Sequence, residues 1–196
     1  MGKIFYVMGK SSSGKDTIFE DLMERRELGL KRMVLYTTRP IRAKETDGVE
    51  YHFVDEETLD DLEKQGKVIE CRAYETIEGI WKYATVDSSD LHLEQEDYLA
   101  IGTLVSYQKL RAYFGEEKII PIYIEVRDDL RLERSIKRER KQKSPNYEEL
   151  CRRFLADAAD FSEEKLREAG IQRRFQNDLD RSLCMDEVAE YIRSAK

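Results

Sequence analysis

The strongest constraint on this chain is a glycine-rich segment close to its start, residues 9–15, with the sequence G-K-S-S-S-G-K. The segment fits the pattern G-x-x-x-x-G-K, in which glycines let backbone N–H groups converge on phosphate oxygens and the lysine adds a positive charge. It follows the apolar run 3–8 and precedes a periodic segment at 16–28. Strand, loop and helix in this order are the context that the motif requires. We therefore expect a phosphate-binding loop after a buried first strand.

The two positions after the motif lysine bear on metal binding. Many loops of this type place Ser or Thr there to orient Mg²⁺, whereas this chain has Asp16, followed by Thr17. Either side chain can orient the ion, directly or through water, because Mg²⁺ prefers oxygen ligands. The sequence leaves the choice between Asp16 and Thr17 open.

The pattern of the remaining elements predicts an α/β fold. The near-continuous apolar runs 98–104 and 119–126 are typical of strands covered on both faces in a parallel sheet, with a helix at 105–114 between them. Pro121 indicates that the second strand lies near an edge or begins late. Residues 33–87 alternate between short strands and an acidic helix at 55–65, which predicts an inserted small mixed-sheet domain.

The charged stretch that follows predicts a helical lid. We expect paired helices, the second with Ser144 as its N-cap and Pro145 as its first residue, and a closing amphipathic helix at 181–195. The predicted organisation is one P-loop domain with a three-layer core, its parts being core 1–32, 88–128 and 161–196, insertion 33–87 and lid 129–160.

Composition excludes several classes of function. The net charge of −7 disfavours a general nucleic-acid binder, and 196 residues suffice for one sizeable core. The three cysteines are odd in number and widely separated, so neither disulfides nor a zinc site is expected. No apolar run is long enough for a membrane span or a signal peptide, and we expect a cytoplasmic protein that does not contact membranes.

The most specific signal begins at residue 37, where T-T-R-P-I-R is followed by E-x-D-G-V-E-Y-H-F-V at 45–54. This stretch closely resembles the nucleoside-monophosphate segment of guanylate kinases. Arg39 and Arg42 lie in a proline-held loop, where two guanidiniums can each offer a fork of donors to a monophosphate. The resemblance covers nearly the whole chain in order and is strongest through residues 9–54.

The resemblance implies a P-loop kinase fold, a site for GMP and a site for ATP, with which Mg²⁺ is expected to arrive. The implied GMP-binding residues are Arg39, Arg42, Tyr51, Glu70, Tyr83 and Thr85. In this scheme Glu70 reads the base, since guanine presents adjacent N1–H and N2–H donors to an acceptor-only carboxylate, whereas adenine has an acceptor at N1. The implied ATP-binding residues are Gly9, Ser11, Ser12, Ser13, Gly14, Lys15, Asp16, Thr17, Arg134 and Asn177.

Arginines of the charged arm complete the expected machinery. Phosphoryl transfer between two nucleotides needs cations and the exclusion of water rather than a catalytic base. By resemblance, Arg134, Arg138 and Arg153 match the lid and transfer arginines of the family. The expected catalytic set is Lys15, Arg39, Arg138 and Arg153. The arginines can also be read as solvated helix charges paired with neighbouring glutamates.

Two departures from the family pattern leave alternatives open. Leu35 stands where members of the family usually carry a small hydroxyl residue, and Gly102 stands near the place of an aspartate. These losses leave room for a sugar-phosphate kinase of the ribose 1,5-bisphosphate type, which shares the Gly-Lys-Asp of the loop. A non-catalytic guanylate-kinase-like binding module is the third possibility, although the intact loop disfavours it. The protein is expected to be a monomer or a homodimer.

Overall fold

The computed structural model describes residues 2–43, 45–76, 79–88 and 91–196. In chain order its main elements are β1 (Ile4–Met8), α1 (Lys15–Glu24), β2 (Leu30–Arg32), β3 (Leu35–Thr37), β4 (Tyr51–Phe53), α2 (Glu56–Lys64), β5 (Val68–Thr76), β6 (Gly79–Val86), β7 (Asp97–Gly102), α3 (Leu104–Phe114), β8 (Ile119–Glu125), α4 (Asp128–Glu139), α5 (Tyr147–Asp160), α6 (Glu163–Glu168), β9 (Arg174–Gln176) and α7 (Arg181–Ala195).

The larger sheet is parallel throughout and has the order β2-β7-β1-β8-β9. Its central strand β1 is buried along its whole length because both faces of the sheet are covered. Ile4, Tyr6 and Met8 belong to the apolar cluster on one face, and Phe5 and Val7 to the cluster on the other. This alternation follows from the two-residue period of a strand.

Helices cover the two faces of this sheet and make three layers. Leu104, Tyr107 and Leu110 of α3 enter the first cluster, while α1 and α7 enter the second through residues such as Ile18 and Val188. The predicted three-layer α/β core is therefore confirmed. Every helix within the described residues is too short or too polar to cross a membrane.

Pro121 lies in strand β8 at a place where the sheet tolerates a proline. Strand β8 starts at Ile119, so it does not begin late, and it lies one strand in from the edge. Its outer neighbour β9 pairs only with Tyr123–Glu125. At Pro121 the strand therefore has β1 as its only neighbour, and a residue without an N–H is tolerated there.

The smaller sheet is mixed, as predicted, and has the order β4-β3-β6-β5. Strands β3 and β4 pair in parallel, while the other two pairings are antiparallel. Helix α2 packs on one face by inserting Leu59 against Ala84 and Val86. The helix begins after Asp55, whose carboxylate accepts the Thr58 N–H at 2.8 Å, as an N-cap should.

Three predicted boundaries were wrong, each because of a local cap. The helix after the loop ends at Glu24, and a 3₁₀ turn, Arg26–Leu28, leads to Gly29 at φ 54°. Strand β7 stops at Gly102 because the Thr103 hydroxyl accepts the Ser106 N–H and starts α3. Helix α5 is capped by Asn146, not Ser144, and Pro145 precedes the cap.

Candidate active site

The loop of residues 9–15 connects β1 to α1 in a tight turn. Ser12 has a φ of 63° and Gly14, the residue before α1, a φ of 86°, both in the left-handed region. The Ser13 N–H donates to the Lys10 carbonyl at 3.1 Å. A Cβ on Gly14 would lie 2.5 Å from Nδ2 of Asn177, so glycine is required there for packing as well as for conformation. The loop thus directs backbone N–H groups and the α1 N-terminus into one concavity.

Asn177 supports this loop from within the core. Its side chain is buried, and Nδ2 donates to the Ser13 carbonyl at 2.8 Å. Its own N–H donates to the Glu125 carbonyl at the end of β8. Arg134 donates to the carbonyls of Asn177 and Asp178 at 2.8 and 2.9 Å. The structure therefore places both predicted ATP-binding residues, Arg134 and Asn177, in the bracing of the loop. The contact of Asn177 with adenine and that of Arg134 with ATP stay predictions.

The helical arm binds the other side of the loop through a buried arginine that the sequence did not single out. Arg131 of α4 is fully buried, ion-paired with Asp157 at 3.1 Å and stacked on Phe154 at 3.9 Å. Asp157 accepts the Ser11 N–H at 2.8 Å. Nothing local marks Arg131 within its highly charged helix, so only the packing reveals it. The pair fixes the arm to the phosphate-binding loop.

Two predicted transfer arginines line one cavity beside the phosphate-binding loop. Arg138 of α4 and Arg153 of α5 line a common cavity of about 200 Å³ together with Ser11. The Arg153 guanidinium lies 3.5 Å from Oγ of Ser11. The helix pairing of the arm therefore brings together residues that are 15 positions apart in the sequence. Both arginines remain largely exposed, as mobile cations at a phosphate site should be.

A second cavity of about 770 Å³ joins the loop to the smaller sheet. It opens between the carboxyl ends of the parallel strands and the aromatic face of β5 and β6, which is where open α/β sheets bind ligands. Its lining residues are Gly9, Ser11, Lys15, Asp16, Leu35, Tyr51, Arg72, Tyr74, Thr76, Trp81, Tyr83, Ile101, Gly102, Thr103, Glu149, Arg153, Asp157 and Phe161. One continuous space can thus hold two ligands end to end.

Lys15 and Asp16 form an ion pair at the floor of this space. Nζ of Lys15 lies 3.1 Å from Oδ2 of Asp16, whose side chain is 81% exposed. Thr17 is exposed and outside the cavity lining. The described residues contain no cluster of three or more His, Cys, Asp or Glu side chains. A single carboxylate beside a phosphate site fits Mg²⁺, which is usually held by one or two carboxylates, water and the phosphates themselves.

Arg39 is buried in the proline-held loop and makes a bidentate ion pair. Its two terminal nitrogens donate to Glu45 at 2.8 and 2.5 Å, and the guanidinium lies over the rings of Tyr51 and Phe53. The hydrogen bonds from Arg39 lower the pKa of Glu45 to about 2, and those from Glu45 raise the pKa of Arg39. The Tyr83 hydroxyl also lies beside Arg39. Arg39 is therefore held in place before any ligand binds.

Arg42 occupies a different environment, because its side chain is exposed. Its backbone N–H donates to Glu45 at 2.9 Å, so Glu45 organises both arginines of the loop. The rings of Tyr51 and Tyr83 stand edge to face with centroids 5.7 Å apart, and both line the large cavity. Burial raises the pKa of Tyr51, which keeps its hydroxyl neutral and able to donate.

Glu70 and Thr85 face each other across β5 and β6. Thr85 donates to Oε1 of Glu70 at 3.1 Å, and both side chains are buried. Oε2 of Glu70 lies 3.2 Å from Nε of Arg72. Neither Glu70 nor Thr85 lines the cavity, whereas Arg72 does. The structure thus brings Glu70, the predicted base reader, close to the large cavity but covers it with Arg72.

Comparison with known proteins now decides the family. The family model described as guanylate kinase matches residues 1–166. A Mycobacterium tuberculosis protein named guanylate kinase is 30% identical over 190 residues, which cover 92% of this chain and 78% of that relative. The chain belongs to the guanylate kinase family.

Further relatives differ in how much of them is matched. A guanylate kinase of Malacoplasma penetrans is 25% identical over 194 residues, covering 95% of this chain and 87% of the relative. One from Aliivibrio fischeri is 36% identical over 70 residues, and the match spans only 34% of that relative. A crystal structure of guanylate kinase from Anaplasma phagocytophilum superposes with a TM-score of 0.66 at 19% identity, covering 98% of this chain and 85% of that one, and supports the fold.

Within this guanylate kinase family member, the glycine at 102 has a structural reason. A Cβ built on Gly102 would overlap the hydroxyl of Tyr6, which projects from β1 into the same space. Burial raises the pKa of Tyr6, whose hydroxyl lies near the side chains of Arg72 and Ser106. The Tyr6 hydroxyl therefore occupies the space that a side chain at position 102 would take. Sequence reasoning missed Tyr6 because it looked like one more apolar strand residue.

Proposed function

We propose that this protein transfers the γ-phosphoryl group of ATP to GMP, giving ADP and GDP. The observation that carries the proposal is the single cavity of about 770 Å³ that is lined by Lys15 at one end and by Tyr51 and Tyr83 at the other. Membership of the guanylate kinase family supports the same reaction. The names of the relatives indicate the substrates, and the cavity is a place where both substrates can bind.

The donor end of the cavity suits a nucleoside triphosphate. The backbone N–H groups of residues 9–15 and the α1 N-terminus bind the phosphates, and Lys15 neutralises the charge that shifts toward the β–γ bridge. Mg²⁺, with Asp16 or Thr17 beside it, would screen the β- and γ-phosphates. Arg138 and Arg153 approach from the arm and stabilise the transferred group, where several cations act in a water-poor space.

The acceptor end suits a monophosphate. Arg39 lies behind the lining residues Tyr51 and Tyr83, fixed by Glu45, with its guanidinium over the Tyr51 ring and the Tyr83 hydroxyl beside it. Glu45 occupies part of the Arg39 donor fork, so the acceptor phosphate binds to the remaining donors, to the Tyr hydroxyls and to Arg42. The acceptor oxygen attacks the γ-phosphorus in line, and its own negative charge makes a general base unnecessary. Glu70 and Thr85 stand behind this end, and Glu70 is the candidate for reading the base.

The aromatic face argues against the sugar-phosphate kinase alternative. Tyr74, Trp81 and Tyr83 line the acceptor end, and such rings stack well on a planar base. A sugar bisphosphate offers no such plane. We further propose that the protein acts in the cytoplasm in purine nucleotide metabolism, as a monomer or a homodimer.

The test is an ADP-release assay with ATP–Mg²⁺ and a panel of GMP, dGMP, AMP, UMP and ribose 1,5-bisphosphate. We expect GMP to give the highest kcat/KM and the water blank to be low because the arm excludes solvent. A rate with ribose 1,5-bisphosphate and none with GMP would replace the proposed reaction by the alternative. The absence of a rate with every acceptor would indicate a binding module.

A further inference from the structure

We propose that Arg72, held by Glu70, is the residue that selects guanine in the acceptor cavity, by donating to O6 and N7 of the base. This inference rests on the proposed function and names a residue that neither the sequence patterns nor the family resemblance pointed to. It also changes the role of Glu70 from direct reader to positioning residue.

The first support is the arrangement of the Glu70 carboxylate. Its side chain is only 1% exposed, and Oε1 accepts from Thr85 while Oε2 faces Nε of Arg72 at 3.2 Å. Oε2 is sealed from solvent, and its contact with Nε is an ion pair without a hydrogen bond, since neither atom has a hydrogen-bond partner within the described residues. Thr85 engages Oε1 and the Arg72 guanidinium covers Oε2, so Glu70 does not line the cavity, whereas Arg72 does. A base that enters this space meets Arg72 before it meets Glu70.

The second support is what remains free on Arg72. Its side chain is 22% exposed and lines the cavity, and its ion pair with Glu70 runs through Nε. Within the described residues, the terminal nitrogens of Arg72 make no hydrogen bond. Glu70 fixes one edge of the planar guanidinium, so the opposite edge is presented as two preoriented donors. The pairing of an arginine fork with guanine O6 and N7 is a common specific contact between proteins and this base.

The third support is the surroundings of Arg72. It pairs with Tyr83 across the smaller sheet, and Tyr74 and Trp81 are paired one step further along the same face. The Tyr74 and Tyr83 rings have centroids 5.7 Å apart. A cation framed by aromatic rings suits a planar base with acceptor groups better than a second phosphate, which aromatic rings would not stabilise.

The chemistry then explains how adenine is rejected. Adenine has the acceptor N7 but a donor, the N6 amino group, where guanine has O6. A guanidinium has no acceptor, so AMP would leave an Arg72 donor facing the adenine amino group inside the cavity. Leu35, the lining residue in the place of the family's hydroxyl, offers O6 no donor. Arg72 supplies the donor that Leu35 lacks.

Substrate analogues test this inference on the unaltered protein. IMP keeps O6 and N7 but lacks the N2 amino group, and we expect its kcat/KM to stay within about 10-fold of that of GMP. The analogue 7-deaza-GMP lacks N7 and should lose about 10-fold or more, and AMP about 100-fold or more. An IMP value more than about 100-fold below GMP would assign the base to Glu70 through N2–H and overturn the inference.

Variants provide a second measurement. For Arg72→Met we expect the KM for GMP to rise about 30-fold with kcat nearly unchanged, and the GMP-to-AMP preference to fall by a similar factor. Arg72→Lys should recover only part of this preference, because an ammonium lacks the planar fork. Glu70→Gln should raise the KM for GMP less than Arg72→Met does, since the amide removes the ion pair that positions Arg72 but leaves the guanidinium donors in the cavity.

Lys82→Met is the matched control. Lys82 lies on the neighbouring strand but pairs with Glu56 and Asp60 of α2, away from the cavity, so its loss should leave the KM for GMP unchanged.

Unchanged base preference in a folded Arg72→Met protein would overturn the inference while leaving the proposed function intact. If Arg72→Met fails to fold, the IMP and 7-deaza-GMP values decide alone. If the unaltered protein phosphorylates no GMP, the proposed function and this inference fall together.

Discussion

At the scale of single residues, the site is prepared by ion pairs that exist before ligands bind. Arg39 is held by Glu45, Arg72 by Glu70, and Lys15 lies against Asp16. Each cation is thus placed at the cavity or next to it with part of its hydrogen-bonding capacity unused. A phosphate or base that binds there does not have to order a flexible side chain, which lowers the entropic cost of binding.

Lys15 gives the most direct prediction for activity. Lys15→Ala should lower kcat by about 100-fold or more, because a cation that acts on the developing phosphoryl charge is lost. The ADP-release assay measures this, and thermal unfolding checks that the fold is retained. Lys109→Ala, an exposed lysine of α3, is the control and should keep full activity. Equal rates for both variants would exclude Lys15 from the transfer.

Glu45 gives a prediction for the pH dependence of stability. Arg39 holds the pKa of Glu45 at about 2 in the folded protein, compared with its ordinary value of 4.5. The stabilising contribution is therefore complete above pH 4.5 and is lost as the pH falls from 4.5 toward 2, since the unfolded chain is protonated first. Urea unfolding at a series of pH values should show Glu45→Gln approaching the unaltered protein over this interval.

The control for this measurement is Glu94→Gln, because Glu94 is exposed and has no ion pair within the described residues. Its unfolding curves should stay parallel to those of the unaltered protein at every pH. A constant difference between Glu45→Gln and the unaltered protein down to pH 2 would contradict the assigned ion pair.

At the scale of secondary-structure elements, the arm is joined to the phosphate-binding loop by a few buried polar contacts. Helices α4 and α5 enclose Arg131 between Asp128, Asp157 and Phe154. Asp157 also accepts the Ser11 N–H, and the Ser135 hydroxyl donates to that of Ser12. The base of the arm and the loop therefore form one connected unit, while Arg138 and Arg153 extend from it toward the ligand.

Removing the buried arginine should break this unit. Arg131→Leu leaves Asp157 without its buried cation, and we expect the free energy of unfolding to fall by about 3 kcal/mol. Urea denaturation measures this value. Arg152→Leu, which removes an exposed pair with Glu149 on the same arm, is the control and should cost less than about 1 kcal/mol. Similar losses for both variants would show that burial of Arg131 contributes nothing specific.

At the scale of the whole molecule, two sheets of different type share one cavity. The parallel sheet presents the phosphate-binding loop at the carboxyl end of β1, and the mixed sheet presents its aromatic face opposite. Transfer between two nucleotides requires such a facing arrangement, because the phosphoryl group moves a short distance between anions that must be held in line.

Trp81 makes binding at the acceptor end observable. It is the single tryptophan of the chain and lines the cavity. We expect GMP to change its fluorescence in a saturable manner, in Lys15→Ala as well as in the unaltered protein, because Lys15 lies at the donor end. ATP–Mg²⁺ alone should produce a smaller change. A signal that responds to ATP but never to GMP would exclude the assignment of the aromatic face to the acceptor.

The sequence by itself determined the elements whose signals are local. The core was predicted by the motif at 9–15 and by the apolar runs of β1, β7 and β8. The inserted sheet was predicted by the short alternating strands within residues 33–87. Both signals are local, since hydrophobic periodicity and turn chemistry act over a few residues. The segment containing Arg39 and Tyr51 likewise indicated the acceptor loop. The predicted domain boundaries stay a prediction.

Tertiary structure alone decided how charges pair and what they face. Arg131, Tyr6 and Arg72 looked like ordinary charged or apolar residues, and only packing showed that the first is buried, that the second fills the space at Gly102 and that the third covers Glu70. The physical reason is that burial and ion pairing depend on distances between residues far apart in the chain. A residue's chemical type gives what it can bind, and its position in the folded molecule decides what it does bind.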